Sequence, residues 1–97
     1  MVITMVEGRV PLDAQEALEE AYRAQIDDGL PSGLIQTYLL RDAETDLWRI
    51  VSVWRSREDL EKMRATSEGP AAPHIFKAAG VQPTVKIFEV VHAATPR

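Results

Sequence analysis

Leu47-Trp48-Arg49-Ile50-Val51-Ser52-Val53-Trp54-Arg55-Ser56-Arg57-Glu58-Asp59-Leu60 is the stretch whose reading decides the fold. Residues Leu47 to Arg55 are rich in β-branched and aromatic side chains, the composition of a strand. Successive side chains of a strand project to opposite faces, so Leu47, Val51 and Val53 share one face while Trp48, Ile50 and Trp54 share the other. A strand wet on one side would alternate apolar with polar residues. Here both faces are apolar. Directly after it, Ser56 stands where a helix N-cap belongs, with Asp59 three residues on, and Leu60 and Met63 supply the inner face of the helix that follows.

Upstream, Leu34 to Arg41 reads as another strand, joined through the polar turn Asp42 to Asp46 as a hairpin. Before it, Pro11-Leu12-Asp13 opens a helix, with Asp13 as N-cap, Glu16 completing a capping-box-like pair and Leu12 placed to staple onto Ala17. Ala14, Ala17, Leu18, Ala21, Tyr22 and Ile26 recur at helical spacing until Gly29 and Pro31 close the helix. Residues 2–7 form a first strand ended by Gly8. Downstream, Gly69-Pro70 breaks the second helix, His74 to Ala79 forms a further short helical turn before Gly80, and Thr84 to His92 is the last strand. The order β-α-β-β-α-β is that of the α+β ferredoxin-like fold, a four-stranded antiparallel sheet with its helices on one face. With 97 residues and no repeat or linker, one domain over 1–97 is expected.

The last strand also has two apolar faces, Phe88 and Val90 opposing Val85, Ile87 and Val91. Two helices cover one face of a sheet, so the other would leave an apolar patch larger than monomers usually expose. A second copy packed sheet to sheet removes it, giving a homodimer with an isologous interface. The alternative is a monomer whose outer face is kept wet by Arg49, Lys86 and Gln36.

Fifteen acidic residues against 11 basic ones give a net charge of −4, and the basic residues are scattered, so neither nucleic acid nor an anionic membrane surface is an expected partner. The apolar stretch Val2 to Val6 is too short for a membrane span or a signal core, and a cytoplasmic location is expected. The apolar fraction of 45% and charged fraction of 27% are those of a globular chain that folds. The absence of cysteine excludes thiolate nucleophiles, disulfides and zinc or iron–sulfur sites built on cysteine sulfur. His74 and His92, one in a loop and one on a strand, lack the convergence of a metal site. No Gly-rich phosphate loop and no Ser-His-acid spacing is present.

The run Trp54-Arg55-Ser56-Arg57-Glu58-Asp59-Leu60 resembles the strand-to-helix junction of the antibiotic biosynthesis monooxygenase (ABM) family, of the dimeric α/β-barrel superfamily, in which a tryptophan closing the third strand precedes a Ser-capped helix. The resemblance extends over nearly the whole chain in element order, length and spacing. Members of that family oxygenate polyketide quinols and anthrones without metal or flavin, others degrade haem, others act on quinones, and many have no assigned activity. The resemblance thus implies a cofactor-independent monooxygenase acting on a small hydroxylated aromatic or quinol, with no cofactor. The chain departs from the pattern at Met63, where a histidine is frequent. Haem-degrading relatives use an asparagine on the first strand and a tryptophan on the second helix. Here Thr4 and Glu7 are the polar groups of that strand, and Met63 again takes the helix position. His74 falls near the segment where those relatives carry a haem-ligating histidine.

The candidate catalytic residues are His74, as a general base for an acidic phenol or anthrone proton, and Trp54, whose ring can stack on a planar substrate while its indole N–H donates a hydrogen bond. Packing at a strand end is the alternative for Trp54, and solvation in a loop is the alternative for His74. Tyr22, Tyr38, Trp54, Met63 and Phe76 are the candidate substrate-binding residues, the two tyrosines through their phenols. Glu89, an acid on an apolar strand face, is expected to pair with Arg49 or Arg55 across an interface or to be a perturbed carboxylate. The other functional reading is a non-catalytic module of the same dimeric fold that binds a small molecule or serves assembly.

Overall fold

Ser56 begins a helix as its position requires. Its hydroxyl accepts the Asp59 backbone N–H at 3.1 Å and donates to the Asp59 carboxylate at 3.0 Å, so cap and third helical residue satisfy one another. The computed structural model describes residues 1–97 and contains strands β1 (Val2–Arg9), β2 (Leu34–Arg41), β3 (Leu47–Trp54) and β4 (Thr84–Glu89). Helices α1 (Gln15–Asp28), α2 (Arg57–Arg64) and α3 (Ala71–Ala78) lie between them. The strands pair antiparallel in the order β2-β3-β1-β4, the ferredoxin-like α+β arrangement expected. No helix is long and apolar enough to cross a membrane.

Register decides which side chains meet. Val6 lies opposite Ile50 on one side and Val85 on the other, and Gly8 lies opposite Trp48. An irregularity between Leu34 and Gln36 shifts the phase of β2. Leu34, Thr37 and Leu39 therefore all face the helices, while Gln36, Tyr38 and Leu40 face away. The face under the helices holds two buried clusters. One contains Val6, Val10, Leu18, Trp48, Ile50, Ile75, Phe76 and Val81; the other contains Val2, Trp54 and Leu60, with Leu34, Met63 and Ile87 packed against it. Gly8 belongs to the first by what it lacks: a Cβ there would stand 2.7 Å from Val81 Cγ1 and 3.3 Å from Phe76 Cδ1.

Several local expectations are corrected. Asp13 does not cap α1; Pro11 opens a short 3-10 turn over Leu12–Ala14, with Ala14 N–H bonded to the Pro11 carbonyl at 2.9 Å, and α1 starts behind it. Leu12 is 84% exposed and staples nothing. The helical turn expected at His74 is longer, starting at Ala71, so His74 lies on a helix rather than in a loop. Pro73 is tolerated because the first-turn N–H groups of a helix have no intrahelical partner to lose. Strand β4 stops at Glu89, short of His92. Glu89 is exposed and lies on the helix side of the sheet, while Arg49 on the far face pairs with Glu7 at 2.7 Å and Arg55 pairs with Asp59 at 2.9 Å. Within one chain, then, neither arginine pairs with Glu89.

The N-terminus of α2 is locked to the start of β2. Arg55 N–H donates to the Gly33 carbonyl at 2.8 Å, and Gly33, at φ 88°, approaches so closely that a Cβ would sit 2.5 Å from Asp59 Cβ. The Asp59 carboxyl is held below its ordinary value, first by the hydrogen bond from the Arg55 guanidinium and then by that from Ser56. A carboxyl depressed in the folded state contributes stability that is present above its unfolded value, about 3.9, and is lost as pH falls through the folded one. Asp59→Asn is therefore expected to be less stable than the parent at pH 7, with the two converging in strongly acidic buffer. Urea unfolding at both pH values checks this; a difference that persists undiminished in acid would contradict it.

Candidate functional site

Between the two clusters the sheet face is not packed shut. A cavity of about 930 Å³ lies there, between the strands below and α1, α2, α3 and their links above, within the range of small-molecule sites. Its floor comes from β1, β2, β3 and β4: Thr4, Val6, Leu34, Thr37, Ile50, Ser52, Trp54, Val85 and Ile87. None of these is ionisable. The charged groups that reach the cavity, Asp28, Arg64 and Glu68, come from helices and the links between them, as does His74.

One polar feature crosses the floor. Thr4 lies opposite Ser52, and Ser52 opposite Thr37, so three hydroxyls form a row across β1, β3 and β2. Tyr22 on α1 donates its phenol to Thr37 Oγ1 at 3.2 Å, Thr37 and Ser52 share a hydrogen bond at 3.2 Å, and Trp54 Nε1 donates to Thr4 Oγ1 at 3.1 Å. Along β3 the row falls between Ile50 of one buried cluster and Trp54 of the other. Polar atoms half-buried in this way hold their position because each has a partner.

The expected site residues separate into two groups. Trp54, Tyr22, Met63 and His74 all line the cavity. Trp54 does so with its indole N–H already bonded to Thr4, so that donor is not available to a ligand as expected from sequence. Tyr38 does not line it: the shift in β2 turns Tyr38 to the opposite face of the sheet, where it is half exposed. Phe76 does not line it either, being wholly buried in the first cluster against Gly8. His74 on α3 stands at the exposed rim, with Nε2 3.0 Å from the Glu68 backbone carbonyl. A carbonyl only accepts, so Nε2 carries hydrogen, and in the neutral ring Nδ1 keeps its lone pair. His92 lies past the end of β4, away from these groups.

The hydroxyls Thr4, Thr37 and Ser52 were not foreseen as a unit. The available signal was Ser52 itself, a polar residue on the face of β3 that otherwise carries Trp48, Ile50 and Trp54. No group of three or more acidic, histidine or cysteine side chains comes together to hold a metal ion.

The sequence profile of antibiotic biosynthesis monooxygenases matches residues 1–74, which includes β1 to α2 and the strands that build the cavity floor, apart from β4. The chain belongs to the antibiotic biosynthesis monooxygenase family. Solved structures share the fold. A Deinococcus radiodurans structure assigned to the same family superposes with a TM-score of 0.76 at 16% identity, covering 100% of this chain and 99% of that one. SnoaB, a cofactor-independent oxygenase from Streptomyces nogalater, superposes in a mutant form with a TM-score of 0.71 at 17% identity, covering 95% and 94%. MhuD, a haem degrader from Mycobacterium tuberculosis with two haems bound in its active site, superposes with a TM-score of 0.67 at 25% identity, covering 98% and 100%. No curated protein matches the sequence. At such identities the likeness of the first two is one of fold.

Proposed function

We propose that this ABM-family chain is a cofactor-independent monooxygenase of a small hydroxylated aromatic or quinol. The observation that carries the reading is the cavity itself: an uncharged floor crossed by hydroxyls, apolar walls, and one imidazole at the rim whose Nδ1 has no protein partner. An aromatic ring fits the apolar walls, and its oxygen substituents meet the hydroxyls. Trp54 and Met63 supply apolar lining at one end, and Tyr22 closes the other through its bond to Thr37.

For an anthrone, the C–H proton passes to His74 Nδ1 and the electron pair stays on the ring, delocalised toward the ring oxygen. That pair forms the C–O bond to dioxygen and yields a hydroperoxide once the proton returns. Loss of the second C–H proton with cleavage of the O–O bond leaves a carbonyl on the carbon and releases one water. The two hydrogens of the methylene leave in that water, so the substrate is the reductant and dioxygen the only oxidant. Exclusion of bulk water and placement of the ring are the protein's part.

The residues favour a hydroxylated aromatic over haem, the ligand of one fold relative. The floor presents hydroxyl donors that the apolar face of a porphyrin would leave unpaired. Met63 occupies the helix position at which haem-degrading relatives are expected to carry tryptophan.

Oxygen consumption with anthrone should be stoichiometric with anthraquinone formed, and His74→Ala should lower kcat by about a hundredfold or more. Uptake unaffected by His74→Ala removes that residue from the reaction. Saturable anthrone binding without oxygen uptake assigns the chain to non-catalytic binding instead.

We infer further that the working form is a homodimer joined through the face of the sheet that the helices do not cover. Tyr38, Leu40 and Phe88 are each about half exposed on that face, beside Ile3, Met5, Val51 and Val53. Such a surface is larger and more apolar than a monomer normally presents to water. Sedimentation equilibrium is expected to give twice the 10.8 kDa chain mass, and Phe88→Glu to give the single chain. A parent protein that sediments as one chain at all concentrations contradicts this.

A further inference from the structure

The floor of the cavity holds more donor hydrogens than it uses. Trp54 Nε1, Thr4, Tyr22, Thr37 and Ser52 bring one each, five in all, and the structure shows three hydrogen bonds among them, which leaves two hydrogens without a protein acceptor. One is on Thr4, whose oxygen accepts from Trp54 and whose own O–H is unengaged. The other is on Ser52 when Thr37 donates to it, or on Thr37 when the direction reverses. Either way one hydrogen remains in each half of the row. Thr4 and Ser52 are directly opposed on β1 and β3, which places their Cβ atoms about 5 Å apart, and both line the cavity. No carboxylate lies in the floor to take these hydrogens.

We propose that Thr4 and Ser52 form an oxyanion site, two adjacent hydroxyls that donate to a single ligand oxygen carrying negative charge. The proposal rests on the monooxygenase reading and deepens it, because the oxygen concerned is the phenolate or enolate oxygen on which charge develops as the substrate loses its proton. Each donor is strengthened by the hydrogen bond it accepts from behind, Thr4 from Trp54 and Ser52 from Thr37, which itself accepts from Tyr22. Trp54 is then a positioning residue that acts through Thr4, and Tyr22 acts through Thr37. The site selects a ring that carries an acceptor oxygen on one edge. It selects against a cation, for which the floor has no charged partner.

The test uses 4-nitrophenol, whose phenolate is coloured and which does not react with oxygen, so that binding is read apart from turnover. Each hydrogen bond to the charged form contributes about tenfold, so the parent protein should bind 4-nitrophenolate about a hundredfold more tightly than 4-nitrophenol. Thr4→Val and Ser52→Ala should each reduce that preference about tenfold while leaving affinity for the neutral phenol nearly unchanged; Thr4→Ser should keep it. Trp54→Phe should weaken it in part. Thermal melts of each variant show that it is folded. Equal binding of the two forms, binding of neither, or variants that lower both affinities together would overturn the oxyanion site. A phenolate preference without oxygen uptake on anthrone would overturn the monooxygenase reading and leave the site standing, and oxygen uptake without the preference would do the reverse.

Discussion

Three hydroxyls in the middle of an otherwise apolar sheet face, Thr4, Ser52 and Thr37, divide the interior of this protein. Had valines stood in their place, the cluster around Phe76 and the cluster around Trp54 could have met and closed over the sheet. Hydroxyls need hydrogen-bond partners when they leave water, and here they find them in one another, in Tyr22 and in Trp54. The row is thereby satisfied well enough to persist, and it keeps a polar, ligand-sized space between two packed ends. The helices span that space without filling it, and their charged groups stay at its rim.

The surrounding scaffold is built to hold the space open in one shape. At one end, Gly8 admits Phe76 and Val81 against β1, which seats α3 and so carries His74 to the rim. At the other, the close approach of Gly33 to Asp59 and the bonds among Arg55, Ser56 and Asp59 fix the start of α2, whose Leu60 packs with Val2 and Trp54. Sites placed on regular elements with locked neighbours keep their geometry better than sites on loops.

The fold was legible because its signals are local. Strand β2 has the limits read from sequence, β3 ends one residue earlier at Trp54, and the Ser56 cap forms as its spacing implies. The site was legible only in part, since what places it is register. Counting alternately from Leu34 puts Tyr38 on the same face, and the irregularity at Leu34/Gln36 reverses that count and sends Tyr38 to the outer face. Phe76 carries no mark that distinguishes a core aromatic from a ligand contact; only the room made by Gly8 shows where it goes. Thr4, Thr37 and Ser52 are far apart in the chain and become neighbours through pairings between strands that no single stretch specifies.

The measurement that bears most directly on this account compares stability with binding in one molecule, Tyr22→Phe/Thr37→Val/Ser52→Ala. Removing hydrogen-bonding partners together, with their shapes kept, is nearly neutral or stabilising when their role is not structural. The account predicts unfolding free energy within about 1 kcal/mol of the parent or above it, together with about a tenfold loss of the preference for 4-nitrophenolate, the share that Ser52 carries. A variant that loses several kcal/mol of stability yet binds the phenolate as before would show that the hydroxyl row holds the fold together rather than the ligand.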